Sequence, residues 1–225
     1  MPLVIFMNSI PSLKILVVDD HEAVLGGTLN TLQSAYPEAE IQTATTVLNM
    51  LSLLSEPLPD VVVMDLALPK EPGGESKTEV GIDLLRTILN TYPHMNIVVQ
   101  SAFSRALIRL RPMIDIHMGG FTVADKSLPG REMLARIDLA LGEYFCTPLE
   151  MRQGMEVRPE WLEVLQLAFQ EGLQDKAIAE RMNVSERTVR NYWNKVQDIL
   201  NVYPEAGKNI RIQTEIRARE EGWID

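Results

Sequence analysis

The first 145 residues alternate short apolar runs with helix-like segments, and several of the runs stop on a polar side chain. Leu13 to Val18 ends in Asp19-Asp20, Val61 to Met64 ends at Asp65, Asn96 to Gln100 ends at Ser101, and Gly120 to Ala124 stops just before Lys126. Glu40 to Ala44 supplies a fifth strand. Between them, Glu22–Ala35, Val47–Leu54, Ile82–Leu89, Ala106–Ile114 and Leu128–Tyr144 carry helical spacing, with Pro112 interrupting the fourth. Strands that are apolar throughout are buried on both faces, and strands separated by helices pair in parallel. The expected fold is therefore α/β, a doubly wound five-stranded parallel sheet. Such sheets bind ligands at the carboxyl ends of their strands. Asp19, Asp20, Asp65, Ser101 and Lys126 all fall at that edge, from four strands.

Beyond residue 145 the pattern changes. Thr147 to Arg158 is weakly periodic and holds Pro148 and Gly154, which marks a linker. The signals after it are purely helical. Pro159 suits a first helical turn and Gly172 a helix end. Gln174–Met182 is a short helix, Asn183-Val184 a turn, and Ser185 a cap for Glu186–Leu200; Asn209–Glu221 is a fourth helix. These shifts divide the chain into residues 12–145, a linker at 146–158 and a small all-α unit at 159–225.

Charge sharpens the division. The 225 residues carry a formal net charge of -10, which argues against a strongly basic nucleic-acid coat or a membrane-surface binder. Residues 1–154 hold 11 Lys+Arg against 18 Asp+Glu, and residues 155–225 hold 10 against 13. Within the second part, Lys208, Arg211, Arg217 and Arg219 face only Glu215, a locally basic stretch. The lone Cys146 excludes an intrachain disulfide and fits a reducing, cytoplasmic setting. No apolar run reaches the roughly 18 residues of a membrane span. The apolar 1–10 stretch lacks the basic start and cleavage site of a signal peptide.

Three carboxylates at neighbouring strand ends repel one another, and their approach calls for a cation. Hard oxygen ligands with open positions suit Mg²⁺. A carboxylate can also attack phosphorus to form an acyl phosphate, with a metal and a lysine neutralising the transferring oxygens. A single such Asp is commonly a helix cap, and Asp20 alone fits that description; the coincidence of all five positions does not.

With these residues in place, the first part resembles the receiver domain of two-component response regulators, a flavodoxin-like fold. Val17-Val18-Asp19-Asp20-His21 is similar to the family's acidic pair, Met64-Asp65-Leu66-Ala67-Leu68-Pro69 to its phosphoacceptor strand, Ser101-Ala102 to its switch hydroxyl, and Lys126 to its lysine. The resemblance implies that a histidine kinase phosphorylates Asp65, and that Asp19, Asp20, Asp65 and the Ala67 carbonyl hold Mg²⁺. Two departures stand out. The family's Gly-x-x-Leu-Leu helix start matches Gly81-Ile82-Asp83-Leu84-Leu85, about eight residues late, so Lys70–Val80 reads as an inserted polar loop. Such insertions cost little in a surface loop. Val123 stands where the family carries Tyr or Phe, whose ring moves inward on activation. Valine has no ring to move, and Phe121 would share its strand face.

Gln174 to Arg190 reads as helix, tight turn, helix, and the second helix offers polar and cationic groups to base edges and phosphates. Trp161-Leu162-Glu163-Val164-Leu165, Gly172, Lys176-Ala177-Ile178-Ala179 and Ser185-Glu186-Arg187-Thr188-Val189-Arg190 resemble the four-helix LuxR/FixJ-type DNA-binding domain. That resemblance implies that Arg190, Asn191 and Asn194 point at bases of double-stranded DNA, with Arg187 and Lys195 nearer the backbone. It also implies that the last helix serves dimerisation. The opening signature is degraded to Val157-Arg158-Pro159-Glu160-Trp161, and Tyr192 replaces a common His. Trp161, Trp193 and Phe169 are expected in the core.

The combination describes a homodimeric DNA-binding response regulator, not an enzyme. It has a histidine kinase as donor and RNA polymerase as a further expected partner. A second reading is a regulator that binds DNA without a phosphate switch and uses its receiver as a dimer or partner platform. A third, an acyl-phosphate hydrolase, would need a general base beside Asp65, where Ala67 stands instead. His21, His94 and His117 form no ligand spacing.

Overall fold

The computed structural model describes residues 12–54, 57–148 and 157–225. The 1–10 stretch and most of the linker fall outside them. In chain order the first part contains β1 (Lys14–Val18), α1 (Glu22–Ala35), β2 (Glu40–Ala44), α2 (Val47–Leu53), β3 (Val61–Met64), α3 (Thr78–Thr91) and β4 (Asn96–Gln100). A 3₁₀ segment (Ser104–Leu110), α4 (Arg111–Ile114), β5 (Phe121–Ala124), α5 (Gly130–Leu141) and β6 (Phe145–Cys146) follow. The strands form one parallel sheet in the order β2-β1-β3-β4-β5-β6.

The sheet has six strands rather than the five expected. After α5 the chain turns through Glu143 at φ 61° and lays Phe145 and Cys146 beside Phe121 and Thr122 of β5. Two residues are too few for a periodicity to reveal. The sheet thus ends at Cys146, one residue inside the segment read as linker.

Alternation along the strands sorts the side chains onto two faces. Leu16, Val18, Val62, Met64, Ile97, Val99, Phe121 and Val123 pack with Leu85 and Ile88 of α3 and Leu107 of the 3₁₀ segment. Ile15, Val17, Val61, Val63, Val98 and Ala124 pack with Leu32 of α1 and Met133 and Ile137 of α5. Burial on both faces is what the uninterrupted apolar runs require.

The expected Ala106–Ile114 helix is broken in two. Pro112 lies in the first turn of α4 and has no N–H to offer Ile108, so an α-helix cannot run through it. The preceding residues wind as a 3₁₀ segment, seven residues where such runs seldom exceed three or four.

The second part comprises α6 (Pro159–Phe169), α7 (Asp175–Arg181), α8 (Glu186–Ile199) and α9 (Ile210–Glu220). Its core gathers Trp161, Val164, Leu165, Ile178, Val189, Trp193 and Val196 with Trp223 and Ile224. Phe169 meets Trp193 edge-on at 5.6 Å between ring centroids, so all three aromatics pack as expected. Gly172 at φ 69° ends the first helix, Asn183 at φ 54° makes the tight turn, and Ser185 Oγ accepts the Thr188 N–H at 3.1 Å. The Arg211 guanidinium sits over Trp193, 3.5 Å from its ring centroid, and bonds both oxygens of Asp175. That cluster ties α9 to the helix-turn-helix.

Candidate functional site

Parallel register brings the strand-end residues together. Val18 lies beside Met64, so Asp19 and Asp65 emerge as neighbours. Ser101 follows β4 and donates its amide to Ala124 of β5 at 3.1 Å, which places it on the same edge. Lys126 reaches across from beyond β5. Its Nζ lies 2.6 Å from Asp19 Oδ2 and 2.7 Å from Asp65 Oδ2. Burial pushes the Lys126 ammonium down, but hydrogen bonds and charge from Asp19 and Asp65 outweigh it and hold the group above its ordinary pKa. Asp65 Oδ1 accepts the Leu66 amide at 2.6 Å, leaving Oδ2 to face the lysine. Ala67 is half-buried in the turn just beyond.

Ligand atoms of Asp19, Asp20, His21 and Asp65 all lie within 4.8 Å of one another. Asp20 Oδ1 is buried 2.8 Å from His21 Nδ1 yet accepts no hydrogen bond. An orphaned carboxylate oxygen among two more carboxylates is what a hard divalent cation would satisfy, and the donor set fits Mg²⁺. His21 joins the group although its spacing pointed to no metal site; adjacency to Asp19-Asp20 was the available signal.

The inserted segment is not a remote loop. Leu68 and Lys77 form an antiparallel bridge that closes it, and Ser76 donates its hydroxyl to Asp20 Oδ2. It therefore walls the acidic pocket. Past it the chain returns to the strand end: a Cβ on Gly81 would sit 1.9 Å from the Leu66 carbonyl oxygen, so α3 can dock there only with glycine. No sequence signal singled out Ser76.

On α8, Arg187, Arg190, Asn191, Asn194 and Lys195 are all exposed. Val189, Trp193 and Val196 anchor the opposite face. Arg190 makes a long 3.7 Å contact with Glu186. The basic stretch around α9 is different from its sequence appearance. Lys208 pairs with Glu205, Arg211 with Asp175, Arg217 with Glu220 and Glu221, and Arg219 with Glu215. Its charge is neutralised by acids brought from outside the stretch as well as within it. The exposed polar face belongs to α8.

Residues 15–138 match the response regulator receiver domain, and residues 161–205 match the bacterial regulatory proteins of the luxR family. The DNA-binding transcriptional activator DevR/DosR of Mycobacterium tuberculosis is 27% identical over 81% of this chain and 86% of its own. The transcriptional regulatory protein YdfI of Bacillus subtilis is 25% identical over 93% and 96%. RcsB of Salmonella enterica serovar Typhimurium, solved on promoter P1flhDC with a phosphomimetic, shares the fold at a TM-score of 0.59 and 20% identity, covering 92% and 97%.

Proposed function

The chain belongs to the response regulators, a receiver domain joined to a luxR-family region, and from that premise we propose that it is a phosphorylation-switched, DNA-binding transcription regulator. Lys126 held between Asp19 and Asp65 is the observation that carries the reading. It marks Asp65 as a carboxylate set among charges suited to a phosphoryl group. A carboxylate oxygen of Asp65 attacks the phosphorus of a kinase phosphohistidine. The P–N bond breaks, and the histidine nitrogen leaves with the electron pair. Lys126 stabilises the negative oxygens of the transferred group, and the Ser101 hydroxyl donates to one of them in the product. Mg²⁺ held by Asp19, Asp20, Asp65 and the Ala67 carbonyl would supply further positive charge there.

The output is double-stranded DNA, read in the major groove by Arg190, Asn191 and Asn194, with Arg187 and Lys195 on phosphates. Two copies read two half-sites, the protein acts in the cytoplasm, and RNA polymerase is the downstream partner. Residues 12–145 form the receiver, 146–158 the linker and 159–225 the output domain. The similarity to an activator named as DNA-binding supports this role.

Val123, buried at 7% exposure where an aromatic ring would move, favours a second reading in which the receiver is a platform without a phosphate switch. Intact-mass measurement after incubation with a small phosphodonor and Mg²⁺ separates the two. One added phosphate that is lost in Asp65→Asn supports the switch, and no uptake supports the platform. Rapid donor turnover would indicate a hydrolase instead.

A further inference from the structure

The three carboxylates of the acidic pocket are not held alike. Asp19 Oδ1 accepts the His21 amide at 2.9 Å, and its Oδ2 faces Lys126 at 2.6 Å. Asp65 Oδ1 accepts the Leu66 amide at 2.6 Å, and its Oδ2 faces the same lysine at 2.7 Å. Both are therefore fixed at both oxygens by strand-end amides and the lysine. Asp20 is not. Among the described residues, the hydrogen bond it accepts comes from Ser76, whose hydroxyl donates to Oδ2. Its Oδ1 is buried and accepts none.

Ser76 belongs to the segment inserted between Asp65 and α3, and that segment is a built hairpin. Across its base the Leu68 amide donates to the Lys77 carbonyl at 3.4 Å and the Lys77 amide to the Leu68 carbonyl at 3.2 Å. At its tip Gly73 takes φ 78° and the Gly74 amide donates to the Glu71 carbonyl at 3.0 Å. The carbonyls of Pro69 and Lys70 accept the Val47 and Leu48 amides, the first two of α2, at 3.1 and 3.2 Å. Lys77 pairs with Glu75 at 2.9 Å, so the group that the hairpin presents to Asp20 is a neutral donor. A hydroxyl orients the carboxylate without cancelling its charge, whereas an ammonium in its place would compete with a cation.

We propose that Ser76 is a positioning residue for the cation site: it holds Asp20 Oδ2 so that Oδ1 is presented to a hard divalent cation, and the inserted hairpin is clamped whenever the site is filled. The proposal rests on the cation-assisted reading above. A ligand group ordered before the ion arrives loses less freedom on binding. Hydrogen bonds to metal-ligating carboxylates set their orientation, and losing one costs about 10–100-fold in affinity. The reciprocal follows from linkage: whatever factor the Ser76 contact adds to cation affinity, the cation adds to closure of the hairpin. The insertion is then a working part of the acceptor site, not a surface loop that the fold merely tolerates.

Mn²⁺, which takes the same oxygen ligands and whose free form gives an electron paramagnetic resonance signal, probes the site in the full chain without phosphodonor. Ser76→Ala should weaken Mn²⁺ binding, and the Mg²⁺ that competes with it, by about tenfold, and Ser76→Thr should restore both. Hydrogen–deuterium exchange in 70–77 should slow by about the same factor when Mg²⁺ saturates the wild type, and stay unchanged in Ser76→Ala. With a small phosphodonor, the Mg²⁺ concentration giving half-maximal phosphate uptake should rise about tenfold in Ser76→Ala and return in Ser76→Thr. Equal Mn²⁺ affinities in wild type and Ser76→Ala, or wild-type exchange in 70–77 that ignores Mg²⁺, would overturn the proposal. No phosphate uptake by the wild type, with the affinity difference present, would overturn the phosphorylation reading and leave the positioning role standing.

Discussion

At Lys126 one cation faces two carboxylates that are almost fully buried, and its removal separates structural from chemical roles. Lys126→Met keeps much of the side-chain volume but leaves Asp19 and Asp65 without their shared partner. Breaking a buried ion pair from one side strands the remaining charge, at a cost of about 3 kcal/mol. Urea unfolding in metal-free buffer should show that loss. Because Asp20 Oδ1 already lacks a hydrogen bond, a divalent cation should bind the variant's acidic group and recover part of the stability. The Mg²⁺-induced shift in the unfolding midpoint is therefore expected to be larger in Lys126→Met than in wild type. No Mg²⁺-induced shift in either protein would mean that the carboxylates are not a metal site, and equal shifts that Lys126 does not compete with the cation. The sign of the pH dependence follows from the raised Lys126 pKa: its contribution is complete below its ordinary pKa near 10.4 and is lost as alkali titrates the folded group.

Among the elements, α3 and α8 show why some of the molecule was readable and some was not. Gly81 was legible as a helix start, but the reason for glycine lies in the 1.9 Å approach to Leu66, which only the packed structure contains. Gly81→Ala should displace α3 from the acceptor strand, destabilise the fold by about 3 kcal/mol and slow phosphate uptake at Asp65. Unaffected uptake at reduced stability would confine Gly81 to packing. The strands and the Ser185 cap were readable because their signals are local. β6 was not, because a two-residue strand is defined by its neighbour's register. The wall formed by Ser76 was not, because the contact joins residues 56 positions apart. The basic stretch misled in part for the same reason, since Asp175 reaches Arg211 only in three dimensions, whereas Glu205, Glu220 and Glu221 flank the stretch in sequence. On α8, Asn194→Ala should cost about 1–3 kcal/mol for the cognate site and relax its sequence preference. Arg187→Ala should instead weaken all sites and lower the salt slope by about one. Titrations at several salt concentrations with matched and mismatched DNA distinguish them, and identical behaviour of both variants would contradict the division between base and phosphate contacts.

At the scale of the whole molecule the receiver and the output region meet at a seam where Arg105 and Arg109 bond the tail at 220–225 and Ile108 joins the output core, and that seam is expected to depend on protonation. A Cβ on Gly222 would lie 2.7 Å from the Ala106 amide nitrogen, so Gly222→Ala opens the seam. Glu79 of the receiver shares a hydrogen bond with Asp225 of the output tail beside the Arg109 guanidinium. That hydrogen bond, then burial, hold the Glu79 carboxyl above its ordinary pKa, despite Arg109 and Gln170. Asp225 moves the other way. Burial raises it, but the bonds from Arg109 and Glu79 prevail and keep it low. One proton held on Glu79 leaves one negative charge, on Asp225, to balance Arg109. Ionising Glu79 places two carboxylates against the Arg109 guanidinium, while Glu220 and Glu221 are already paired with Arg217 and, for Glu221, Arg105. A group whose pKa is raised in the docked form stabilises docking below its undocked pKa and loses that contribution as pH rises through the docked value. The seam should therefore loosen as pH climbs from the ordinary carboxylate range through the raised docked value of Glu79, the opposite of a carboxylate held only by an ion pair. The Trp223 indole N–H resonance, followed in full-length protein with the other tryptophans assigned, should move toward its Gly222→Ala position over that range. Glu79→Gln cannot ionise and keeps an uncharged side chain against Asp225, so its Trp223 resonance should stay at the docked position throughout. A wild-type resonance that does not move with pH, or a Glu79→Gln resonance that moves as the wild type does, would remove Glu79 from control of the seam.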